Sequence, residues 1–229
     1  MSQPISSPPV RVWDLFVRIF HWSLVACVFL NFLVEEGEAP HQWIGYAASA
    51  LVAARIVWGF VGSRYARFSD FFPTPTRLRQ HLAALLAGKP EHHVGHNPFG
   101  ALMMLALMAL VLSLGFTGYL QTTDMFWGDE WLEEVHEFFG NTLLFVVLAH
   151  IGLIALLSVL RRKNQALPML TGRVQGPGPN LAQRNHGWLA AAVLACVLAF
   201  WTWQWNTAPE LPAGDAARWS ENHHDDDDD

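Results

Sequence analysis

Four histidines stand inside or at the ends of apolar stretches: His21 in "VRIFHWSLVACVF", His41 in "HQWIGYAASALVAARIVWGF", and His136 and His150 in "VHEFFGNTLLFVVLAH". A polar side chain at such depth is expensive, so each imidazole needs a compensating partner. Neutral imidazole presents one lone-pair nitrogen, which suits iron and other transition metals. His136 and His150 are fourteen residues apart. On a helix that spacing returns them to within about 40° of one face and separates them by about 21 Å along the axis. Ligands stacked in this way suit two metal groups near opposite membrane surfaces. A compact zinc or iron site fits poorly, because no cysteine or carboxylate completes one. A lone intramembrane histidine also serves as an interhelical hydrogen bond or a proton relay. It is the matched set that favours metal ligation.

The elements that must position these residues follow from composition. The chain has 229 residues, 52% hydrophobic and 15% charged, with eleven Trp and fifteen Phe against three Tyr. Apolar runs cover residues 22–34, 42–62, 99–120, 138–160 and 188–205. With their flanks most reach the roughly 20 residues needed to cross a bilayer. Helices this long and apolar all round belong in lipid, which excludes a soluble bundle. The expected fold is therefore all-α, an integral membrane helical bundle with a four-helix core and a fifth transmembrane helix. The first apolar run lacks a small-residue cleavage site, so it is read as a retained helix. Cys27 and Cys196 fall in apolar helices and form no CxxC motif, which excludes c-type haem attachment.

Basic residues alternate by loop. Arg11 and Arg18 precede the first helix; Arg64, Arg67, Arg77, Arg79 and Lys89 follow the second; Arg161, Arg162, Lys163, Arg173 and Arg184 follow the fourth. The loops at 35–40 and 121–135 have no Lys or Arg. The positive-inside rule then predicts an inside amino terminus, five crossings and an outside carboxyl terminus. The net charge of −6 averages two unlike faces, and the outer one is acidic. Between helices 2 and 3, "PTPTRLRQHLAALLAGKP" reads as an interfacial helix with Thr76 as N-cap and Gly88 as its stop. The Gly/Pro stretch "TGRVQGPGPN" predicts a loosely attached fifth helix. Four parts are expected: residues 1–173 as the core, 174–186 as an inner linker, 187–205 as the fifth helix and 206–229 as an acidic outer tail.

Depth sorts the histidines. His21 enters the first helix from inside, and His150 lies ten residues above Leu160, at a similar level. His41 and His136 begin their helices from outside. The pairs are thus His21 with His150 and His41 with His136, a geometry that fits two six-coordinate haems in a bundle core. Gly45 and Gly140 each lie one turn after an outer histidine, where a missing side chain makes room for a flat macrocycle; ordinary close helix packing also favours glycine. Arg18 and Arg55 are candidate partners for propionates of the inner haem. Trp22, Trp43, Trp58, Trp127, Trp131 and Trp188 lie near helix ends and read as an interfacial belt.

The segments "VRIFHW", "HQWIGYAASALVAARIVWGFVGSRYARF", "GHNPFGALMML" and "VHEFFGNTLLFVVLAH" resemble the bacterial di-haem membrane cytochrome b family. That family includes the cytochrome b subunits of nickel-iron hydrogenases and the prokaryotic cytochrome b561 type. The resemblance covers residues 11–173. It implies two b-type haems held by His21, His41, His136 and His150, a place in the bacterial inner membrane with a periplasmic outer face, and electron exchange between the quinone pool and a redox partner. His96 of "GHNP" matches a family motif without an assigned ligand role. The fifth helix, the acidic tail and the short 35–40 loop depart from a hydrogenase subunit.

The expected function is electron transfer among membrane lipid, quinone and a periplasmic or membrane partner such as a c-type cytochrome, with no nucleic acid partner. Two histidines filling both axial positions of iron favour one-electron transfer over oxygen binding. The alternatives are a hydrogenase anchor subunit, a stand-alone quinone-linked superoxide oxidase, or a metal transporter or sensor using His92, His93, His96 or the tail.

Overall fold

The computed structural model describes residues 9–34, 38–87, 97–175 and 187–207. Helix α1 (Leu15–Asn31) begins seven residues before the predicted apolar run. The reason is Asp14, whose Oδ1 accepts the Val17 N–H at 2.9 Å and so caps the first turn. Helix α2 (Ala39–Val61) carries Pro40 in its first turn, where a missing N–H costs nothing. A short 3-10 turn (Arg64–Ala66) leads to α3 (Phe68–Phe71) and then α4 (Pro75–Leu86). Thr74 stands at the start of α4: its hydroxyl accepts the Arg77 N–H at 3.3 Å. Thr76 lies inside the helix, so the predicted cap is displaced by two residues. Gly88, His92, His93, His96, His186 and the tail lie outside the described residues.

Helix α5 (Pro98–Gln121) starts at Asn97, whose side chain accepts the Gly100 N–H at 2.6 Å. Helix α6 (Glu130–Leu160) is 31 residues long and begins eight residues before its apolar run. Its added turns carry Glu130, Glu133, Glu134 and Glu137, and carboxylates are stabilising at a helix amino terminus. Helix α7 (Leu167–Thr171) ends at Gly172, which takes φ 75°. Helix α8 (Gly187–Thr207) is last. Four helices, α2, α5, α6 and α8, are long and apolar enough to cross a membrane, and α1 is a shorter apolar helix. The expected all-α membrane bundle is what the chain forms, and it is a multi-pass membrane protein.

Helices α1 and α2, α2 and α5, and α5 and α6 pack as successive neighbours. Small residues allow close approach: Ala47 and Ala48 are buried, and a side chain at Gly115 would collide with Ser49. Helix α8 is not loosely attached. It packs along α1 and α2, with Ala190 fully buried and Leu189, Val193 and Val197 against the core. The apolar face of α8 outweighs the Gly/Pro stretch before it.

The end of the bundle that carries Arg11 and Arg173 has a cap that hydrophobicity does not announce. Strand β1 (Pro9–Arg11) pairs antiparallel with β2 (Arg173–Gln175), Val10 opposite Val174. The expected linker therefore starts in a strand. Val12 and Trp13 N–H groups donate to the Gly172 carbonyl at 2.9 and 3.2 Å. Arg18 Nη1 donates to the Leu170 carbonyl at 2.8 Å, and Trp22 Nε1 to that of Met169 at 3.3 Å. Below α2, Asp14 is fully buried. Its Oδ2 accepts Trp58 Nε1 at 3.1 Å and Ser63 Oγ at 2.5 Å. Trp58 is thus a buried donor and not a member of an interfacial belt.

Candidate functional site

The four histidines project from α1, α2 and α6. Helix α6 packs along α5, and among the described residues it makes no extended backbone contact with α1 or α2. Its histidine face therefore stands off from the helices that carry His21 and His41. All four imidazoles are half-buried.

At one end His41 and His136 face each other with ring centroids 6.3 Å apart and planes 60° apart. A metal–imidazole nitrogen bond is about 2.0 Å, and that nitrogen sits about 1.1 Å from its ring centre, so two rings on opposite sides of one ion have centroids about 6 Å apart. The observed separation matches. The neighbourhood also sets the protonation of His136. Thr117 Oγ1 donates to the Ser113 carbonyl at 2.9 Å, which uses its single hydrogen. It then accepts from His136 Nδ1 at 2.8 Å. In that arrangement the proton belongs to the tautomer with N–H at Nδ1, which leaves Nε2 as the lone-pair nitrogen. Gly118 lets this ring approach, since a Cβ there would lie 3.2 Å from His136 Cε1. On the other side Asn31 Nδ2 is 3.4 Å from His41 Nε2.

At the other end His21 and His150 lie within electrostatic reach of each other. Nδ1 of His21 and Nδ1 of His41 are buried without a hydrogen-bond partner. Such orphaned nitrogens are rare in a finished interior and point to a group that completes the site. Beside Gly45 and beside Gly140 nothing lies within 4 Å of where a Cβ would be. That is space beside the His41–His136 pair for a flat ring. The imidazole set, the ring separation and the glycine faces together fit a planar iron macrocycle.

Arg18 and Arg55, the candidate propionate partners, make contacts of their own within the protein. Arg18 lines a cleft of about 320 Å³ with Leu15, Ile19, Trp22, Met169 and Leu194, none of them on α6. Arg55 is 1% exposed. Its Nη2 donates to the Ala66 carbonyl at 3.1 Å, its guanidinium lies 5.5 Å from the Phe68 ring centre, and it is within electrostatic reach of Asp14. Arg55 thus contacts the Ala66 carbonyl and the Phe68 ring, which spacing along the chain does not reveal. Thr117, Gly118 and Asn31 are likewise absent from the sequence reading, because each matters only through a neighbour on another helix.

The model of the prokaryotic cytochrome b561 family matches residues 12–172, well over half of the chain. The chain belongs to that family. Haem b is therefore its cofactor, and cytochrome b describes its class. Among curated proteins it is similar to the "Probable Ni/Fe-hydrogenase 1 B-type cytochrome subunit" of Escherichia coli (strain K12), 26% identical over 140 residues, which cover 47% of this chain and 58% of the relative. It is also similar to the "Probable Ni/Fe-hydrogenase B-type cytochrome subunit" of Rhizobium leguminosarum bv. viciae, 25% identical over 159 residues, covering 57% and 66%. The corresponding protein of Azotobacter vinelandii is 21% identical over 157 residues, covering 55% and 65%. The chain thus spans under two thirds of the length of each of these relatives. No solved structure matches.

Proposed function

We propose that this cytochrome b holds two haems, an inner one between His21 and His150 and an outer one between His41 and His136. On this reading it passes single electrons between the quinone pool and a redox partner at the outer face. The observation that carries the reading is the His41–His136 separation of 6.3 Å; His150, further along α6, lies within electrostatic reach of His21 on α1. Haem iron supplies one-electron oxidation and reduction, with no bond made or broken in the protein. The chain's own part is to hold the imidazoles and, through Thr117, to orient that of His136. Imidazole on both sides of an iron would leave no open coordination position for oxygen, which favours transfer over oxygenation.

A redox difference spectrum of the purified protein, with haem quantified against protein, tests this. Two haems per chain with b-type bands are expected; one haem, or none, overturns the proposal. A second reading is favoured by the printed names of the relatives, that of a cytochrome subunit serving a hydrogenase. It predicts that mild purification yields the chain in a stable complex with a hydrogenase, whereas the first predicts a separate cytochrome that meets its partner transiently.

A further inference from the structure

The turn joining α5 to α6 differs from the rest of the apolar surface. Met125 and Trp127 are 80% and 78% exposed. They lie between Asp124 and Asp129, with Glu130, Glu133 and Glu134 following. No Lys or Arg occurs from residue 121 to 137. A carboxylate in hydrocarbon is costly, so these flanking acids hold the turn on the water side of the interface. The length of α6 agrees: 31 residues span about 46 Å, against about 30 Å of hydrocarbon.

The turn is also ordered. Gly128 takes φ 78°, a conformation that favours glycine. The Phe126 and Asp129 N–H groups donate to the Thr123 and Phe126 carbonyls at 3.1 and 3.2 Å. Trp131 Nε1 donates to Asp129 Oδ2 at 3.2 Å, and its ring meets that of Phe126 edge-on at 6.1 Å. The aromatic surface is thus set in place before anything binds, which lowers the ordering cost of association. It lies at the His41–His136 end, with His136 five residues beyond Trp131 on the same helix.

We propose that the Met125–Trp131 turn is the docking surface for a small soluble electron carrier whose redox edge is an apolar patch ringed by lysine. The acidic rim steers the carrier in, and Met125 and Trp127 set how long it stays. The proposal deepens the reading above, on which electrons enter or leave at the outer pair. In the exchange one electron passes between carrier and outer haem, one oxidised as the other is reduced, with no proton or bond transferred.

The test uses the full chain in nanodiscs of neutral phosphatidylcholine, with a basic soluble c-type cytochrome as the probe and surface plasmon resonance as the readout. The association rate should fall about tenfold between about 20 and 200 mM salt. Trp127→Ala should speed dissociation about tenfold while leaving association unchanged. Glu133→Gln with Glu134→Gln should slow association and flatten its salt dependence. Trp127→Ala releasing the probe no faster than the wild type overturns the proposal. A second measurement addresses the alternative occupant, the membrane itself. A nitroxide at Trp127→Cys, in a Cys27→Ala and Cys196→Ala background, should relax with an aqueous nickel chelate. Preferential relaxation by oxygen would place the turn in lipid and sink the docking surface. Binding is read without turnover, so it stands apart from the cofactor reading: a colourless protein that bound the probe in this pattern would support the surface while overturning the haems.

Discussion

At the scale of residues, the site turns on which nitrogen each imidazole presents. Replacing His21 or His150 by Ala should remove the same haem and leave the other reducible, and replacing His41 or His136 should remove the opposite one. Haem content with a redox titration of each variant checks this; the pairing fails if His21→Ala and His136→Ala lose the same component. Thr117 gives a finer test. Its hydroxyl oxygen lies 2.8 Å from His136 Nδ1; on the proposed reading it accepts the Nδ1 proton, which would make that imidazole a stronger donor and favour the more positive oxidised iron. Thr117→Val deletes the acceptor, so the midpoint of the outer haem should rise. A change of about tenfold in the oxidised-to-reduced ratio corresponds to about 59 mV for one electron. Thr117→Ser should restore the wild-type midpoint, and the inner haem should not move. The four histidines stand out in the sequence because an imidazole in an apolar run is conspicuous. Thr117 was not, since a threonine in a membrane helix is unremarkable until its partner on α6 is known.

At the scale of elements, helix type and order were legible, and the errors sit at helix ends and attachments. Apolar runs mark hydrocarbon, not helix, so α1 and α6 extend beyond them through Arg18 and His21 at one end and Glu130 to Glu137 at the other. The attachment of α1 depends on Asp14, which read as an ordinary polar residue ahead of a membrane helix. It is fully buried, caps α1, accepts from Trp58 and Ser63 and neighbours the buried Arg55. Asp14→Ala would remove the cap and leave the Trp58 and Ser63 donors without their buried acceptor. Losing a buried acceptor in this way costs about 1–3 kcal/mol. A clear fall in the thermal midpoint, followed by circular dichroism in detergent, is the expected outcome. Asp14→Asn, which keeps a hydrogen-bond acceptor, should fall between wild type and Asp14→Ala. A midpoint unchanged in Asp14→Ala would mean that the Asp14 carboxylate does not hold α1 in place.

At the scale of the whole molecule, the ends of the bundle differ in charge, and that difference predicts its orientation. The end formed by β1, α3, α4, α7 and β2 gathers Arg11, Arg64, Arg67, Arg77, Arg79, Arg161, Arg162, Lys163 and Arg173. The opposite end carries Asp124, Asp129, Glu130, Glu133 and Glu134 without a Lys or Arg between residues 121 and 137. Basic loops are retained on the cytoplasmic side, so the charge pattern predicts that the first end faces the cytoplasm and that the His41–His136 pair lies toward the outside. This asymmetry was fully legible in the sequence, because it depends on which loop holds each charge and not on any contact between helices. Cysteine labelling checks it. In a Cys27→Ala and Cys196→Ala background, Glu133→Cys should react with a membrane-impermeant maleimide in intact cells whose outer membrane has been made permeable. Arg79→Cys, on the exposed face of α4, should react only after the inner membrane is broken. Equal labelling of both sites in intact cells would mean a mixed insertion. Labelling of Arg79→Cys alone would invert the molecule, and with it the side on which any soluble carrier could reach the acidic turn.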